Sequence, residues 1–252
     1  MEKIKKIYSR ILRGKENVSN TLFGDLKYKK FVIISRSRTG STLLMALLNK
    51  HSQVICEGEL FKKLNGKSCL EIWNELYSKK PKRIKHVGFK LFYYHPFDID
   101  KTVWDFIDKD KEVTIVHLTR KNYLEAFVSQ KIGEKTKQWS ESKLRPHNLT
   151  LSQKQVVLEP EECLETFETI RNYERETKER YKNRKFIEID YGDLNNDKEG
   201  TVGQILNALS LSKETLEVVN KKQNKESLQD LIQNYAQLKS YFSNTEWNYL
   251  LK

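Results

Sequence analysis

The stretch FVIISRSRTGSTLL, residues 31–44, decides how the rest of the chain is read. It opens with the apolar run Phe31 to Ser35, the pattern of a buried strand. It closes by starting the series Leu43, Leu44, Leu47 and Leu48, which marks one face of a helix. Between the two lie a single glycine, hydroxyl residues, and the arginines Arg36 and Arg38. A strand, a short loop and a helix N-terminus bring free backbone N–H groups and the positive end of the helix dipole together, which suits a phosphate. Gly40 lets the backbone approach closely, Ser41 and Thr42 add hydroxyl donors, and Arg38 adds a cationic fork. The loop is not the G-x-x-x-x-G-K-[ST] of nucleoside triphosphate hydrolases, because Gly40 is followed directly by Ser41 and no lysine precedes the hydroxyl.

Outward from this stretch, strands and helices alternate. The runs Val54 to Cys56, Val87 to Tyr94, Val113 to Thr119 and Phe186 to Tyr191 read as further strands. Helical spacing follows in Leu124, Phe127, Val128 and Ile132, and again in Ile205, Leu206 and Leu209. The order predicts an α/β, three-layer P-loop-like fold with a mainly parallel central sheet of about five strands flanked by helices. No repeat or low-complexity linker divides residues 1–252, so one domain is expected. Residues 1–30 read as a basic N-terminal extension. Its Ile4, Ile7, Ile11 and Leu12 fall on one helix side, which suits peripheral contact with an anionic membrane or packing on the domain itself. Residues 133–159 are polar and poorly periodic, which fits a lid, an acceptor-binding segment or unstructured chain.

Composition narrows the class. The 252 residues carry 46 Lys plus Arg against 34 Asp plus Glu, a net charge of +12. With 38% hydrophobic residues the chain can build a packed core, so wholesale disorder is excluded. Cys56, Cys69 and Cys163 form neither a zinc pattern nor a disulfide framework and read as free thiols, with no metal site expected. No apolar run reaches membrane-spanning length and no secretory signal is visible, which predicts a cytoplasmic protein. The basic excess is dispersed, including the run Arg171 to Lys185, which reads as a solvated helix face. No nucleic-acid-binding motif accompanies it, so a pocket for one highly charged small molecule is the preferred explanation and no nucleic-acid partner is expected.

A second motif joins the first. The fourth strand ends in LTRKNYLEAFVSQKI, residues 118–132, where Arg120 stands at the strand end and Ser129 lies nine residues on. Asn122 can cap the helix, and Ser129, about two turns later, returns to the capped face. A phosphate could meet guanidinium and hydroxyl together. Arg38-Thr39-Gly40-Ser41-Thr42-Leu43 resembles the 5′-phosphosulfate loop of sulfotransferases that use 3′-phosphoadenosine 5′-phosphosulfate (PAPS), and Arg120 with Ser129 resembles their 3′-phosphate segment. Weaker echoes follow in order: the Gly-Glu element at Gly58-Glu59, a strand carrying Lys90, and FIEIDYGDL with Gly192 where Glu is common. The C-terminal helical stretch is also similar, so the resemblance covers residues 31–247. It is nearest to bacterial carbohydrate sulfotransferases of the nodulation-factor type.

The resemblance implies sulfuryl transfer from PAPS to a carbohydrate or glycoconjugate hydroxyl, releasing 3′-phosphoadenosine 5′-phosphate (PAP) and needing no metal. It implies Arg38 at the 5′-phosphosulfate, Ser41 and Thr42 as loop donors, and backbone N–H groups from Thr39 to Thr42 as the cradle. Glu59 is the expected base, beside the loop strand, with Glu57 competing because a one-residue register change exchanges the two. Lys90 is expected at the sulfuryl oxygens unless it faces water at a sheet edge. Adenine contacts are expected from Tyr191 or from residues 221–225, and His95, before Pro96, reads as a turn residue. The rival readings are a nucleotide-dependent kinase of similar architecture and a non-catalytic basic nucleic-acid-binding protein.

Overall fold

The computed structural model describes residues 24–139, 149–216 and 226–251. The N-terminal amphipathic pattern, the centre of the 133–159 segment and the 221–225 stretch lie outside them. Five strands form the sheet: β1 (Lys29–Ser35), β2 (Val54–Glu57), β3 (His86–Phe92), β4 (Thr114–Thr119) and β5 (Phe186–Asp190). They are all parallel, in the order β2-β3-β1-β4-β5. The expected α/β architecture is therefore present. β2 is separated from β1 by β3, so the expectation that the Glu59 segment lies beside the loop strand is corrected. Hydrophobic runs identify strands but do not order them, because every buried parallel strand offers the same apolar surface to its neighbours.

The helices are α1 (Ser41–Leu48), α2 (Cys69–Leu76), α3 (Val103–Lys109), α4 (Tyr123–Thr136), α5 (Leu151–Lys154), α6 (Pro160–Tyr181), α7 (Tyr191–Asn196), α8 (Lys198–Ala208), α9 (Leu228–Leu231) and α10 (Tyr235–Phe242), followed by a 3₁₀ turn at Glu246–Leu251. Strand alternation sends Val32 and Ile34 to one face of β1 and Phe31 and Ile33 to the other. The first face is covered by α2, α3 and Tyr181 of α6, the second by α1 and α8. Burying each such large apolar side chain contributes about 1.5–3 kcal/mol before chain entropy is set against it. The basic extension is shorter than expected, since Lys29 and Lys30 already belong to β1 and Asp25 bridges to Lys80.

The charged run at 171–185 is helical as far as Tyr181. Its helix α6 starts with Pro160, Glu161 and Glu162 and ends with Lys178 and Arg180, each suited to its end of the dipole. Its apolar side, Cys163, Phe167 and Ile170, joins a third cluster with Leu124, Phe127, Val128 and Ile132 of α4 and with Leu238, Phe242, Trp247, Leu250 and Leu251. This C-terminal cluster backs the helix that carries Ser129. The start and end of the 133–159 segment are also tied down. Gly133 is still within α4, while Val156 is buried and bridges to Ile232. Leu238 is fully buried in the cluster, so Leu238→Ala should cost about 2–5 kcal/mol in urea unfolding through lost transfer energy and a residual cavity.

Candidate functional site

One cavity of about 900 Å³ opens over the C-terminal ends of the central strands and is lined by residues of both motifs. Its floor is the turn after β1. Arg38 adopts φ 68 and Gly40 φ 82, so the loop makes two left-handed steps before α1 begins. Gly40 caps α1 without any side-chain cap, leaving the first-turn N–H groups for an anion. Ser41 and Thr42 line the cavity. Thr39 does not border it: its side chain is buried and its Oγ1 donates to the Arg36 carbonyl at 2.9 Å, bracing the loop. Only the backbone of Thr39 remains available to a ligand.

The two motifs meet through Arg38. Its Nε and Nη2 donate to Ser129 Oγ at 2.9 and 2.7 Å, and Nη1 donates to the Trp139 carbonyl at 2.5 Å. Arg120 Nη1 donates to the Arg38 carbonyl at 3.0 Å, and Nη2 to Glu125 Oε2 at 2.5 Å. Its Nε is buried with no hydrogen-bond partner among the described residues. Two guanidiniums thus lie close together, with the Glu125 carboxylate beside Arg120. Burial first, and the charge of Arg120 second, push Arg38 down to about 10. An anion bound between the two guanidiniums would favour the charged form and so oppose this shift.

Local sequence explains this placement. Asn122 Oδ1 accepts from the Glu125 backbone N–H, capping α4 as expected and setting Glu125 against Arg120. Asp190 takes the Lys121 N–H on one oxygen and the Gly192 N–H on the other, tying the Arg120 turn to the start of α7. Tyr191 therefore opens α7 instead of ending β5, and its ring lies 4.5 Å from the Arg120 guanidinium at the cavity wall. Behind the loop, buried Arg36 donates to Gln130 of α4 at 2.7 Å.

At the other end of the cavity, Lys90 projects from β3, which is an interior strand, and is 5% exposed. Its Nζ is 3.0 Å from Thr42 Oγ1 and 3.1 Å from Glu59 Oε1. Glu59 lines the cavity with Lys62 3.6 Å away, whereas Glu57 is exposed at the end of β2 and does not border it. His95, read from sequence as a turn residue, is buried in the same wall with Nε2 4.0 Å from Glu59 Oε2. Tyr94, Phe97, Trp139 and Glu125 also line the site and escaped the sequence reading. Only Glu125 had a local signal there, as the third residue of a helix capped by Asn122 next to Arg120.

The cavity therefore gathers two guanidiniums and a helix N-terminus, with a carboxylate and a lysine in contact beside Thr42. Among the described residues no group of three or more His, Cys, Asp or Glu side chains is arranged to hold a metal ion. Nor is any helix there long and apolar enough to cross a membrane.

No protein-family model matches the chain. Nodulation protein H of Rhizobium tropici is 27% identical over 183 residues, which is 65% of this chain and 68% of that protein. A sulfotransferase from Alicyclobacillus acidocaldarius is similar at 13% identity and a TM-score of 0.48, covering 84% of this chain and 90% of that one. A mouse sulfotransferase solved with PAP is similar at 13% identity and a TM-score of 0.43, covering 78% of this chain, which spans 63% of the mouse one.

Gly40→Ala tests the floor of the site. Its Cβ would lie 2.4 Å from the Tyr191 ring, on a backbone that L side chains rarely adopt. The variant should lose about 1–3 kcal/mol in chemical denaturation, since both the strain and the clash oppose the native loop.

Proposed function

We infer that the chain belongs to the PAPS-dependent sulfotransferase family and moves a sulfuryl group from PAPS to a hydroxyl of a carbohydrate or glycoconjugate. The observation that carries the reading is the single cavity in which the Gly40 loop, the Arg120–Ser129 pair and the Glu59–Lys90 pair all meet. The nodulation relative supports the choice of a carbohydrate-type acceptor.

The donor residues divide between two ends. The 3′-phosphate belongs with Arg120 and Ser129, and Arg38, whose guanidinium already lies on Ser129, joins them there instead of facing the 5′ end as the motif alone suggested. The 5′-phosphosulfate belongs with the backbone cradle from Thr39 to Thr42, the Ser41 and Thr42 hydroxyls and Lys90. Tyr191 backs Arg120 and borders the space left for adenosine.

In-line transfer forms a bond between the acceptor oxygen and sulfur while the bond from sulfur to the bridging phosphate oxygen breaks. The electron pair stays on the phosphate of PAP, where helix N–H groups and Lys90 stabilise the growing charge. The acceptor proton passes to the Glu59 carboxylate. Lys90 bridges Glu59 and Thr42, so it can move toward the sulfuryl oxygens and release the carboxylate for the acceptor.

PAP should raise the thermal stability of the native protein, and ATP with magnesium should not, because only a ligand bound preferentially by the folded state stabilises it. In calorimetry, Arg120→Ala should weaken PAP binding by about 1.5–3 kcal/mol and leave adenosine 5′-monophosphate, which lacks the 3′-phosphate, unaffected. Unchanged PAP affinity would remove Arg120 from the 3′-phosphate site. Glu59→Gln should keep PAP binding and lower transfer of labelled sulfate to neutral oligosaccharides by about 10²–10⁴-fold, read by mass spectrometry. Full turnover would transfer the base role elsewhere.

A further inference from the structure

The strand that supplies Lys90 ends at Phe92, and the chain turns through Tyr93 and Tyr94 to His95. The His95 ring is 1% exposed and wedged among Phe92, Tyr94 and Phe97, with ring centroids 4.9, 5.2 and 5.1 Å away. Its backbone is fixed on both sides. The His95 N–H donates to the Phe92 carbonyl at 2.9 Å, and the His95 carbonyl accepts the Trp104 indole N–H at 2.8 Å.

The ring's own bonding assigns its proton. Nδ1 accepts the Phe92 backbone N–H at 3.4 Å, and a nitrogen that accepts carries no proton. In the neutral ring the proton is therefore on Nε2. That atom is buried, has no hydrogen-bond partner among the described residues, and faces Glu59 Oε2 at 4.0 Å. The gap is about 1 Å beyond a hydrogen bond. A buried donor without an acceptor is costly, and the available acceptor is the carboxylate now held by Lys90 and Lys62.

We propose that His95 is a positioning residue for Glu59: as Lys90 turns to the sulfuryl oxygens, the Nε2–H closes on Oε2 and holds the carboxylate toward the acceptor hydroxyl. The proposal rests on the reading of Glu59 as the base. It also explains why this histidine is not itself the base. Nδ1 is occupied by the backbone and Nε2 carries a proton, so the ring presents no lone pair to the cavity. The charged groups facing the ring are Glu59, Lys62, Lys90 and Lys101. Burial holds the ring down to about 4, the lysines act in the same direction and Glu59 opposes them, so it stays neutral at physiological pH.

The test has a spectroscopic arm and a kinetic arm. Long-range ¹H–¹⁵N spectra of histidine-labelled protein contain five histidines, and His95 is identified by its loss in His95→Gln. At pH 7 its Nε2 should appear protonated and its Nδ1 imine-like, and Glu59→Gln should shift the Nε2 signal. In the kinetic arm, with PAPS and the neutral oligosaccharide acceptor used for Glu59→Gln, His95→Phe keeps the aromatic packing. It should lower kcat about 10- to 100-fold with PAP affinity and acceptor KM unchanged. His95→Gln, which restores a side-chain N–H, should recover most of that loss. An Nδ1–H ring or an imidazolium at pH 7, an Nε2 signal indifferent to Glu59→Gln, or full kcat in His95→Phe would each overturn the proposal. Full turnover in Glu59→Gln overturns the base reading itself. Lost turnover there, with normal kcat in His95→Phe, overturns the role of His95 alone.

Discussion

Arg38 and Arg120 lie within one buried cleft, and the surrounding structure restrains their repulsion. Among the described residues their hydrogen-bond partners include the Glu125 carboxylate, the neutral acceptor Ser129 Oγ and the carbonyls of Trp139 and Arg38 itself. Those acceptors come from the β1 turn, from α4 and from the residues just after α4. Each must be in place for two cations to be kept from water without expelling one another. The left-handed steps at Arg38 and Gly40, the Asn122 cap and the Asp190 clamp on the Arg120 turn all serve that arrangement. What results is a cleft already shaped for an anion before one arrives, so little binding energy is lost to reorganisation.

The overall charge of the chain is a different matter from the charge of the cleft. Its lining includes five basic residues, Arg38, Lys62, Lys90, Arg120 and Lys198, and four acidic ones, Glu59, Glu125, Glu134 and Glu226. Most of the +12 therefore resides elsewhere, and a pocket for one charged ligand does not account for it. Selectivity for an anion comes from placement. Lys90 is buried and Arg38 and Arg120 are partly so, in surroundings where a charge interaction is screened less than on the surface, whereas Lys62 and Lys198 are exposed.

The strands were legible because a parallel sheet buried on both faces leaves continuous apolar runs such as Phe31 to Ser35 and Thr114 to Thr119. Lys90 was visible as an odd charge within such a run. The loop was legible because its chemistry is local: an arginine, one glycine and three hydroxyl residues occupy five consecutive positions, 38–42. The order β2-β3-β1 was not, since it depends on which strands pair and not on any one strand's pattern. Nor was the direction of the Arg38 side chain, which is set by Ser129, 91 residues away. The burial of His95 was not legible for a related reason. A histidine before proline has the local marks of a turn and does form one, but its burial depends on Phe92, Tyr94 and Phe97 closing around it.

The cleft also depends on the far end of the chain. Ser129 faces Arg38 from one side of α4, and Leu124, Phe127, Val128 and Ile132 on the same helix enter the cluster built with Leu238, Phe242, Trp247 and Leu251. Val156 reinforces the connection by pairing with Ile232, and Leu228 and Leu231 of α9 reach the cavity itself. A helix rotates as a unit, so the turn that seats Ser129 against Arg38 is set by how the opposite face packs on the C-terminal cluster. The loop after β1 supplies the chemistry at one end of the cleft, while apolar packing about a hundred residues further on sets the geometry at the other.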